Sequence, residues 1–241
     1  MSNWLDKIGS GVFVTATDTG VGKTAVGGAL ARVLSDAGRD VGVMKPVASG
    51  CSVRRGELFC EDAEFLRRAA RCDEPIDMIC PIRLRAPLAP DVAARLEGRR
   101  IDLRPVWRAY ASLRRRHECV IVEGAGGLLV PITDRTTMAD LAEKIGLPLV
   151  VVVRPSLGTI NHTMLTVEAA RRRGLSMLGL VVNRFPQRPG LAERTNPEEL
   201  MRRTGLPVLA ILREDRSVSV AAGRLGSLQK QLLRASRCEC S

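Results

Sequence analysis

Six short apolar runs, separated by stretches with helical spacing, dominate the hydrophobic pattern of this chain. The runs are rich in Val and Leu and are continuous rather than alternating, which is typical of strands buried on both faces. They cover residues 11–15, 41–44, 119–122, 149–153, 178–182 and 208–212. Strands that alternate with helices predict an α/β fold with a doubly wound, mostly parallel sheet.

Length and composition place these elements in one domain. The chain has 241 residues, of which 45% are hydrophobic, and α/β folds of this size are commonly single domains. The Pro-punctuated stretch 81–90 predicts a loop before a helix over 91–97. We expect one domain over residues 1–220 and a basic tail over 221–241. In that tail Leu residues recur at near-helical spacing between Arg and Lys residues. A terminal helix and partial disorder are the two alternatives for it.

The chain is strongly basic, with 37 Lys and Arg against 26 Asp and Glu and a net charge of +11. This excess would suit nucleic acid or a membrane surface, but it is mostly Arg scattered over predicted helices, and only 3% of residues are aromatic. Asp6 and Lys7 stand where a secretory signal needs apolar residues, and no run is long enough to span a bilayer. We expect a cytoplasmic protein without nucleic-acid or membrane partners.

The cysteines indicate reduced thiols. They are seven in number, which is odd, and they lack paired C-x-x-C spacing. Neither a disulfide framework nor a zinc site is therefore indicated. The seven are Cys51, Cys60, Cys72, Cys80, Cys119, Cys238 and Cys240.

The first predicted strand runs into a glycine-rich segment, TATDTGVGKT, at residues 15–24. Backbone N–H groups around Gly20 and Gly22 can surround a polyphosphate, Lys23 can reach its terminal phosphates, and Thr24 can offer a hydroxyl to Mg²⁺. Thr17 stands where the usual pattern has its first Gly, so an ordinary turn with a solvated lysine is the alternative. The strand before and the helix after favour nucleoside triphosphate binding, and with it a P-loop NTPase-like fold.

Polar residues also follow other predicted strands, where parallel sheets bind their ligands. Lys45 could neutralise charge on a transferred phosphoryl group, although a lysine that only extends to solvent is the alternative. Glu123 is placed like the acid that holds Mg²⁺ in phosphate-loop enzymes, and with Asp62 and Thr24 it would form a hard-cation site. Asp62 alone is equally typical of a helix N-cap.

Four motifs follow one another along the chain, namely TDTGVGKT at 17–24, MKPVASG at 44–50, VEGAGG at 122–127 and LGTINH at 157–162. In this order they resemble the signatures of the dethiobiotin synthetase family. The resemblance implies an ATP-dependent ring closure in which 7,8-diaminononanoate takes up CO₂ as a carbamate. ATP then phosphorylates the carbamate to a carbamic-phosphoric anhydride, and the second amine displaces phosphate to give dethiobiotin. Such chemistry needs positioning and charge neutralisation.

The resemblance also implies roles for individual residues. Lys45 and Lys23 match catalytic lysines, and Thr24, Asp62 and Glu123 match Mg²⁺ ligands. Asn183 matches the side chain that reads the adenine edge, with a turn-forming Asn as the alternative. The implied nucleotide-binding set is Thr19, Gly20, Val21, Gly22, Lys23, Thr24, Asp62, Glu123, Gly124, Ala125, Gly126, Asn183 and Arg184.

For the substrate, the resemblance implies contacts with Ser49 and with Gly158, Thr159, Ile160 and Asn161. These last four precede a predicted helix over 163–173, whose free N–H groups suit a carboxylate. In the family this segment comes from the neighbouring subunit, so a homodimer is implied.

Some positions depart from the family pattern, and two other classes compete with it. Ala16 replaces Gly, Asp91 replaces His, and LRED at 212–215 replaces a more apolar, Pro-containing segment over the nucleotide base. A ParA/MinD-like ATPase switch would share the sheet but has an extra Lys early in its loop. An amidotransferase of the cobyrinate-diamide type would continue into a glutaminase domain. The segment from Lys45 to Ser49 favours the synthetase.

Overall fold

The structure is a computed structural model that describes residues 4–237. After a 3₁₀ helix at Trp4–Ile8, the strands are β1 Gly11–Ala16, β2 Val41–Met44, β3 Val47–Ala48, β4 Ser52–Arg54, β5 Glu57–Phe59, β6 Ile82–Arg83, β7 Cys119–Glu123, β8 Pro131–Thr133, β9 Thr136–Thr137, β10 Leu149–Val153, β11 Met177–Phe185 and β12 Val208–Arg213. The helices are α1 Lys23–Asp36, α2 Glu61–Ala70, α3 Ile76–Ile79, α4 Pro90–Leu96, α5 Arg104–Arg116, α6 Met138–Ile145, α7 Thr159–Arg172, α8 Leu191–Thr204 and α9 Leu228–Arg237.

The six apolar runs form the central sheet, which confirms the predicted fold class. The sheet has the order β12-β11-β10-β1-β7-β2, and every neighbouring pair is parallel. The strand order changes direction at β1, between β7 and β10. Ligands of such sheets bind at this point, beyond the carboxyl ends of the strands.

Successive residues of β1 pack on opposite faces of the sheet, and the buried side chains form two apolar cores. Val12 and Val14 of β1 belong to the core beneath α1 and α2, whereas Phe13 between them belongs to the core on the other face. Both faces are buried, so the strands need no polar alternation. The sheet therefore holds its carboxyl ends in fixed positions.

The start of α7 differs from the prediction. The helix begins at Thr159 rather than after residue 162, because Gly158 adopts a left-handed φ of +91° and acts as its N-cap. Thr159, Ile160 and Asn161 therefore form the first helical turn instead of preceding it. Similarly, α4 begins at Pro90, one residue before the predicted start, because proline suits the first turn of a helix.

The described part of the C-terminal tail contains a helix, α9. Leu228 and Leu232 of α9 are buried, and the helix packs against α1 and β12. The apolar face of α9 thus extends the core beneath α1. Residues 238–241 lie outside the described residues.

Five of the seven cysteines fall within residues 4–237. These five, Cys51, Cys60, Cys72, Cys80 and Cys119, are buried and have free thiols. Cys238 and Cys240 lie outside the described residues. Among the helices within 4–237, none has the length and apolarity needed to cross a bilayer.

Candidate active site

The glycine-rich loop leaves β1 and ends at the start of α1. Gly22 is the N-cap of α1 with φ +100°, and a Cβ placed there would lie 2.2 Å from Asn183 Nδ2. Only glycine fits such a backbone beside such a neighbour. Thr17, which replaces the first Gly of the usual pattern, still donates its N–H to the carbonyl oxygen of Val152, at 3.2 Å. The start of the loop is therefore hydrogen-bonded to the neighbouring strand β10, although the motif is incomplete.

The start of α1 suits an anion. No side chain caps its N-terminus and no acidic residue lies in its first turn, so the amides at this end keep their positive potential. Lys23 is 6% exposed, and its Nζ donates to the Asp18 carbonyl oxygen at 3.0 Å. Burial, with the nearby Lys45 cation, lowers the pKa of Lys23 to about 8. A bound polyphosphate would offset both effects.

Lys45 and Glu123, at the carboxyl ends of β2 and β7, meet Thr24 from the first turn of α1. Lys45 Nζ lies 2.5 Å from Glu123 Oε1 and 3.3 Å from the Gly124 carbonyl oxygen. Thr24 Oγ1 donates to the same Glu123 Oε1 at 2.8 Å. Lys45 therefore points inward, and the solvent-directed alternative is wrong for this lysine.

Asp62 joins this cluster from α2. Its Oδ2 lies 3.1 Å from Lys45 Nζ. The N-cap of α2 is Cys60, whose sulfur accepts the Ala63 N–H at 3.4 Å, so Asp62 is not the helix cap. Asp62 lies two residues after the cap, in the first turn of α2, and its carboxylate faces the lysine.

Burial and pairing set the charges of the cluster. Burial alone would lower the pKa of Lys45, but the Glu123 and Asp62 carboxylates raise it well above its usual range. Burial raises the pKa of Glu123, although the Lys45 ammonium acts in the opposite direction on this pKa. Burial alone would raise the pKa of Asp62, but the Lys45 ammonium outweighs burial and lowers this pKa. Lys45 is therefore a fixed cation beside the phosphate loop.

The oxygen atoms of this cluster fit a hard divalent cation. Thr24 offers a hydroxyl, Asp62 and Glu123 offer carboxylates, and Glu123 Oε2 is buried without a hydrogen-bond partner. Among residues 4–237, no three His, Cys, Asp or Glu side chains are grouped so as to hold a metal by themselves. A cation here would need further oxygen from phosphate or water, which is how Mg²⁺ is usually bound in nucleotide enzymes.

A pocket of about 620 Å³ extends from the phosphate loop to the ends of β11 and β12. Of the residues predicted to bind nucleotide, metal or substrate, it is lined by Thr19, Gly20, Gly22, Lys23, Thr24, Lys45, Ser49, Asp62, Glu123, Ala125, Gly126, Asn183 and Arg184. Val21, within the loop, is buried, and Gly124 contributes the carbonyl oxygen that accepts from Lys45. Side chains separated by more than 150 positions thus line one cavity.

Asn183 links the loop to the far end of the pocket. It is 3% exposed, and its Nδ2 donates to the Val21 carbonyl oxygen at 2.8 Å. Arg184 follows with φ +59°, which is unusual for a residue with a side chain. The hydrogen bond fixes Asn183 against the loop at the pocket wall, and its place within β11 excludes the turn alternative.

Sequence reasoning missed two groups near this pocket. Arg154 follows β10, and its Nη2 donates to the Gly20 carbonyl oxygen at 3.0 Å, a contact that the strand-end rule could have suggested. The second group is part of the far wall, which is formed by the end of β12, the segment after it and α9. The family resemblance had placed residues 212–215 over the nucleotide base, but the remaining wall residues had no local signal. The far wall comprises Arg213, Glu214, Asp215, Arg216, Val218, Val220 and Leu228.

The segment Gly158, Thr159, Ile160 and Asn161 lies outside this pocket within one chain. Asn161 instead borders an open depression of about 560 Å³, together with Leu129 and Leu165. Leu129 and Leu165 are 55% and 62% exposed, and Leu157 nearby in sequence is 91% exposed. Large apolar side chains grouped at the surface are typical of an interaction site.

Sequence comparisons agree with the family resemblance. A family model described as an AAA domain matches residues 10–222. The chain is 50% identical over 218 residues to the ATP-dependent dethiobiotin synthetase BioD of Anaeromyxobacter sp. strain K, covering 90% of this chain and 96% of that protein. It is 41% identical over 201 residues to the protein of the same name from Bacillus subtilis strain 168, covering 83% of this chain and 86% of that protein.

Structural comparisons agree with the fold. The septum site-determining protein MinD of Pyrococcus horikoshii OT3, complexed with Mg-ADP, matches with a TM-score of 0.60 at 17% identity, over 94% of both chains. A ParA family ATPase from Chlorobium tepidum TLS matches with a TM-score of 0.57 at 15% identity, over 94% of this chain and 98% of that one. At such identities the likeness shows the P-loop NTPase-like fold alone.

Proposed function

Because the chain belongs to the family of ATP-dependent dethiobiotin synthetases, we propose that it closes 7,8-diaminononanoate with CO₂ to dethiobiotin, using ATP and Mg²⁺. It is thus an ATP-dependent ligase of biotin biosynthesis that forms C–N bonds. ATP is converted to ADP and phosphate. The relatives named above are similar over most of their length, which supports carrying this activity to the whole chain.

The position of Lys45 supports this reaction most directly. The buried lysine lines the same pocket as Ser49 and the loop that would hold the triphosphate. A fixed cation at this point would attract a carbamate and neutralise charge as a phosphoryl group is transferred. Lys23 would contact the transferred phosphate from the other side.

The chemistry then needs two displacements in one pocket. A carbamate oxygen attacks the γ-phosphorus, ADP leaves, and the carbamate becomes a carbamic-phosphoric anhydride. The second amine attacks the carbonyl carbon, phosphate leaves, and the nitrogen loses its proton. Mg²⁺, held by Thr24, Asp62 and Glu123, would supply positive charge to the phosphates. Lys45 and Lys23 hold the reacting groups in place.

We also propose a homodimer with composite active sites. The segment Gly158, Thr159, Ile160 and Asn161 opens α7, where free N–H groups would suit the substrate carboxylate, but it lies outside the pocket of its own chain. Exposed Leu129 and Leu165 beside it offer an apolar contact surface. A two-fold axis through this surface would bring the segment to the partner's pocket.

A cytoplasmic location without nucleic-acid or membrane partners completes the proposal. Much of the basic surface is already paired with neighbouring acids. Arg67 and Arg68 contact Glu64, and Arg202 and Arg203 contact Glu199. Arginines that are paired in this way offer less free charge to a polyanion.

Phosphate release from ATP tests the proposed reaction. We expect release only when diaminononanoate and bicarbonate are both present, with one dethiobiotin, identified by mass spectrometry, for each phosphate. ATP hydrolysis that does not rise when the diamine is added would contradict the proposal and favour an ATPase switch. Lys45→Ala provides the matched inactive control.

A further inference from the structure

The hairpin β4–β5 connects two parts of the pocket. Ser49 lies just before it and Asp62 lies just after it. Its turn is Arg55-Gly56, with φ values of +52° and +83°, which is the type I′ geometry of a two-residue hairpin. The paired residues are Arg54 with Glu57, Val53 with Leu58, and Ser52 with Phe59.

Extending this register by one step places Cys51 opposite Cys60. In an antiparallel ladder, pairs alternate between hydrogen-bonded and non-hydrogen-bonded, starting from a hydrogen-bonded pair at a two-residue turn. The Cys51–Cys60 pair is therefore non-hydrogen-bonded, and the backbone agrees. The Cys51 N–H donates to the Leu84 carbonyl oxygen, and the Cys60 carbonyl oxygen accepts from Glu64.

This kind of pair has the spacing that a disulfide needs. Opposed Cα atoms at non-hydrogen-bonded positions lie about 4.5 Å apart, and disulfides form at Cα separations of roughly 4.4–6.8 Å. Both side chains also point to the same face of the hairpin. Cys51, Leu58 and Cys60 belong to one apolar core, whereas Arg54 stacks on Phe59 on the opposite face.

We propose that Cys51 and Cys60 form a reversible disulfide when the enzyme meets a hydroperoxide. One sulfur attacks the O–O bond and becomes a sulfenic acid as an alcohol, or water, leaves. The second thiol then displaces water to give the disulfide. The two sulfurs together lose two electrons, which reduce the peroxide bond, and their two protons end in the released alcohol and water.

Local opening of the hairpin gives the oxidant access. Both cysteines are about 5% exposed or less in the closed form. However, Ser52, Val53 and Arg54 of β4 are all exposed, and an isolated two-stranded ribbon is only marginally stable. The hairpin base can therefore open without unfolding the central sheet.

The disulfide would disturb the active site from both sides. Cys60 caps α2 through its sulfur, so a new bond to that sulfur competes with the Ala63 N–H and moves the first turn that carries Asp62. Cys51 lies two residues after Ser49.

Since the effect is on turnover, this inference rests on the proposed function. We expect oxidation to lower kcat on the order of tenfold or more, because small displacements of reacting groups are costly.

The test uses full-length protein with Cys238 and Cys240 replaced by Ser. Reduced enzyme is treated with hydrogen peroxide, remaining thiols are blocked with N-ethylmaleimide, and dethiobiotin formation is measured before and after dithiothreitol. Trypsin cuts after Arg54 and Arg55, so a linked Cys51–Cys60 peptide pair is resolved by mass spectrometry. We expect this pair, together with a loss of turnover that dithiothreitol restores.

Two variants and one control complete the test. Cys51→Ser and Cys60→Ser should be active when reduced and should lose the reversible inactivation, since Ser at 60 still caps α2. Cys72→Ser, at a buried cysteine outside the hairpin, should behave like the parent. Absence of the linked pair, unchanged turnover despite it, or reversible inactivation that persists in Cys51→Ser overturns the proposal. A reduced enzyme that makes no dethiobiotin contradicts the proposed function instead, while the mapped peptide pair still decides whether the disulfide forms.

Discussion

The Lys45 ammonium lies 2.5 Å from Glu123 Oε1, although 78 positions separate the two residues in the chain. β2 and β7 are neighbours in the sheet, and both residues stand at the carboxyl ends of these strands. Each group is buried, so each depends on the other for its charge. The pair therefore links the proposed metal ligand to the proposed catalytic cation.

Lys45→Ala should lower kcat on the order of a hundredfold or more while changing the KM for ATP little, because this cation acts where charge develops. Lys23→Ala should instead also raise the KM for ATP, since Lys23 would contact nucleotide phosphate. Steady-state phosphate release measures both effects. Lys7→Ala, at an exposed lysine of the N-terminal 3₁₀ helix, is the control. A fully active Lys45→Ala enzyme would refute the catalytic role.

Glu123→Gln should raise the Mg²⁺ concentration for half-maximal activity several-fold, because an amide is a weaker ligand than a carboxylate. Circular dichroism should show the fold intact. Glu118→Gln, at an exposed position beside the other end of β7, should leave the Mg²⁺ requirement unchanged. An unchanged requirement in Glu123→Gln would remove Glu123 from the ligand set.

Mixing two inactive variants should restore activity if the sites are shared between subunits. Lys45→Ala and Asn161→Ala carry their defects in parts of the chain that would belong to different composite sites. Random exchange of equal amounts makes half of the dimers mixed, each with one intact site, so activity should recover to about a quarter of wild type. Confirmed exchange without recovery, or a monomer in light scattering at working concentration, would contradict the composite site.

Two adjacent glycines of α1 should respond oppositely to alanine. A Cβ at Gly28 would lie 2.4 Å from Phe65 Cε1, so Gly28→Ala should lower the free energy of unfolding by about 1–3 kcal/mol. A Cβ at Gly27 would make an ordinary contact, 3.4 Å from Leu66 Cδ2. Gly27→Ala should therefore raise stability by up to about 1 kcal/mol through helix propensity. Urea denaturation measures both, and equal effects would argue against the α1–α2 packing described.

Asp140 should stabilise the fold in a pH-dependent way. Hydrogen bonds from Thr137, with the Arg173 guanidinium, lower the pKa of Asp140 from 3.8 to about 2. Because the folded-state pKa is depressed, the stabilisation is present above pH 3.8 and is lost as the pH falls through about 2. Asp140→Asn should thus lower Tm by a few degrees at pH 7, and less at pH 3. Asp134→Asn, at an exposed carboxylate nearby, should show no such difference.

The sequence by itself determined the six central strands, the glycine-rich loop and the positions of Lys45 and Glu123 at strand ends. These features are encoded locally. Continuous Val- and Leu-rich runs predict buried parallel strands, and glycines at Gly20 and Gly22 predict a loop that needs left-handed backbone. Parallel strands also share one carboxyl edge, so even the approximate location of the site followed from the pattern.

Only the tertiary structure decided which side chains meet. The sequence was equally consistent with Asp62 as a helix N-cap, but in the structure Cys60 caps α2 and Asp62 pairs with Lys45. The tertiary structure brought Leu228 of the tail to the pocket wall and placed Asn161 outside it. Such contacts join residues that are far apart in sequence through packing of helices on the sheet. The spacing of residues along the chain does not determine that packing, since the same local pattern is compatible with several arrangements of helices and strands.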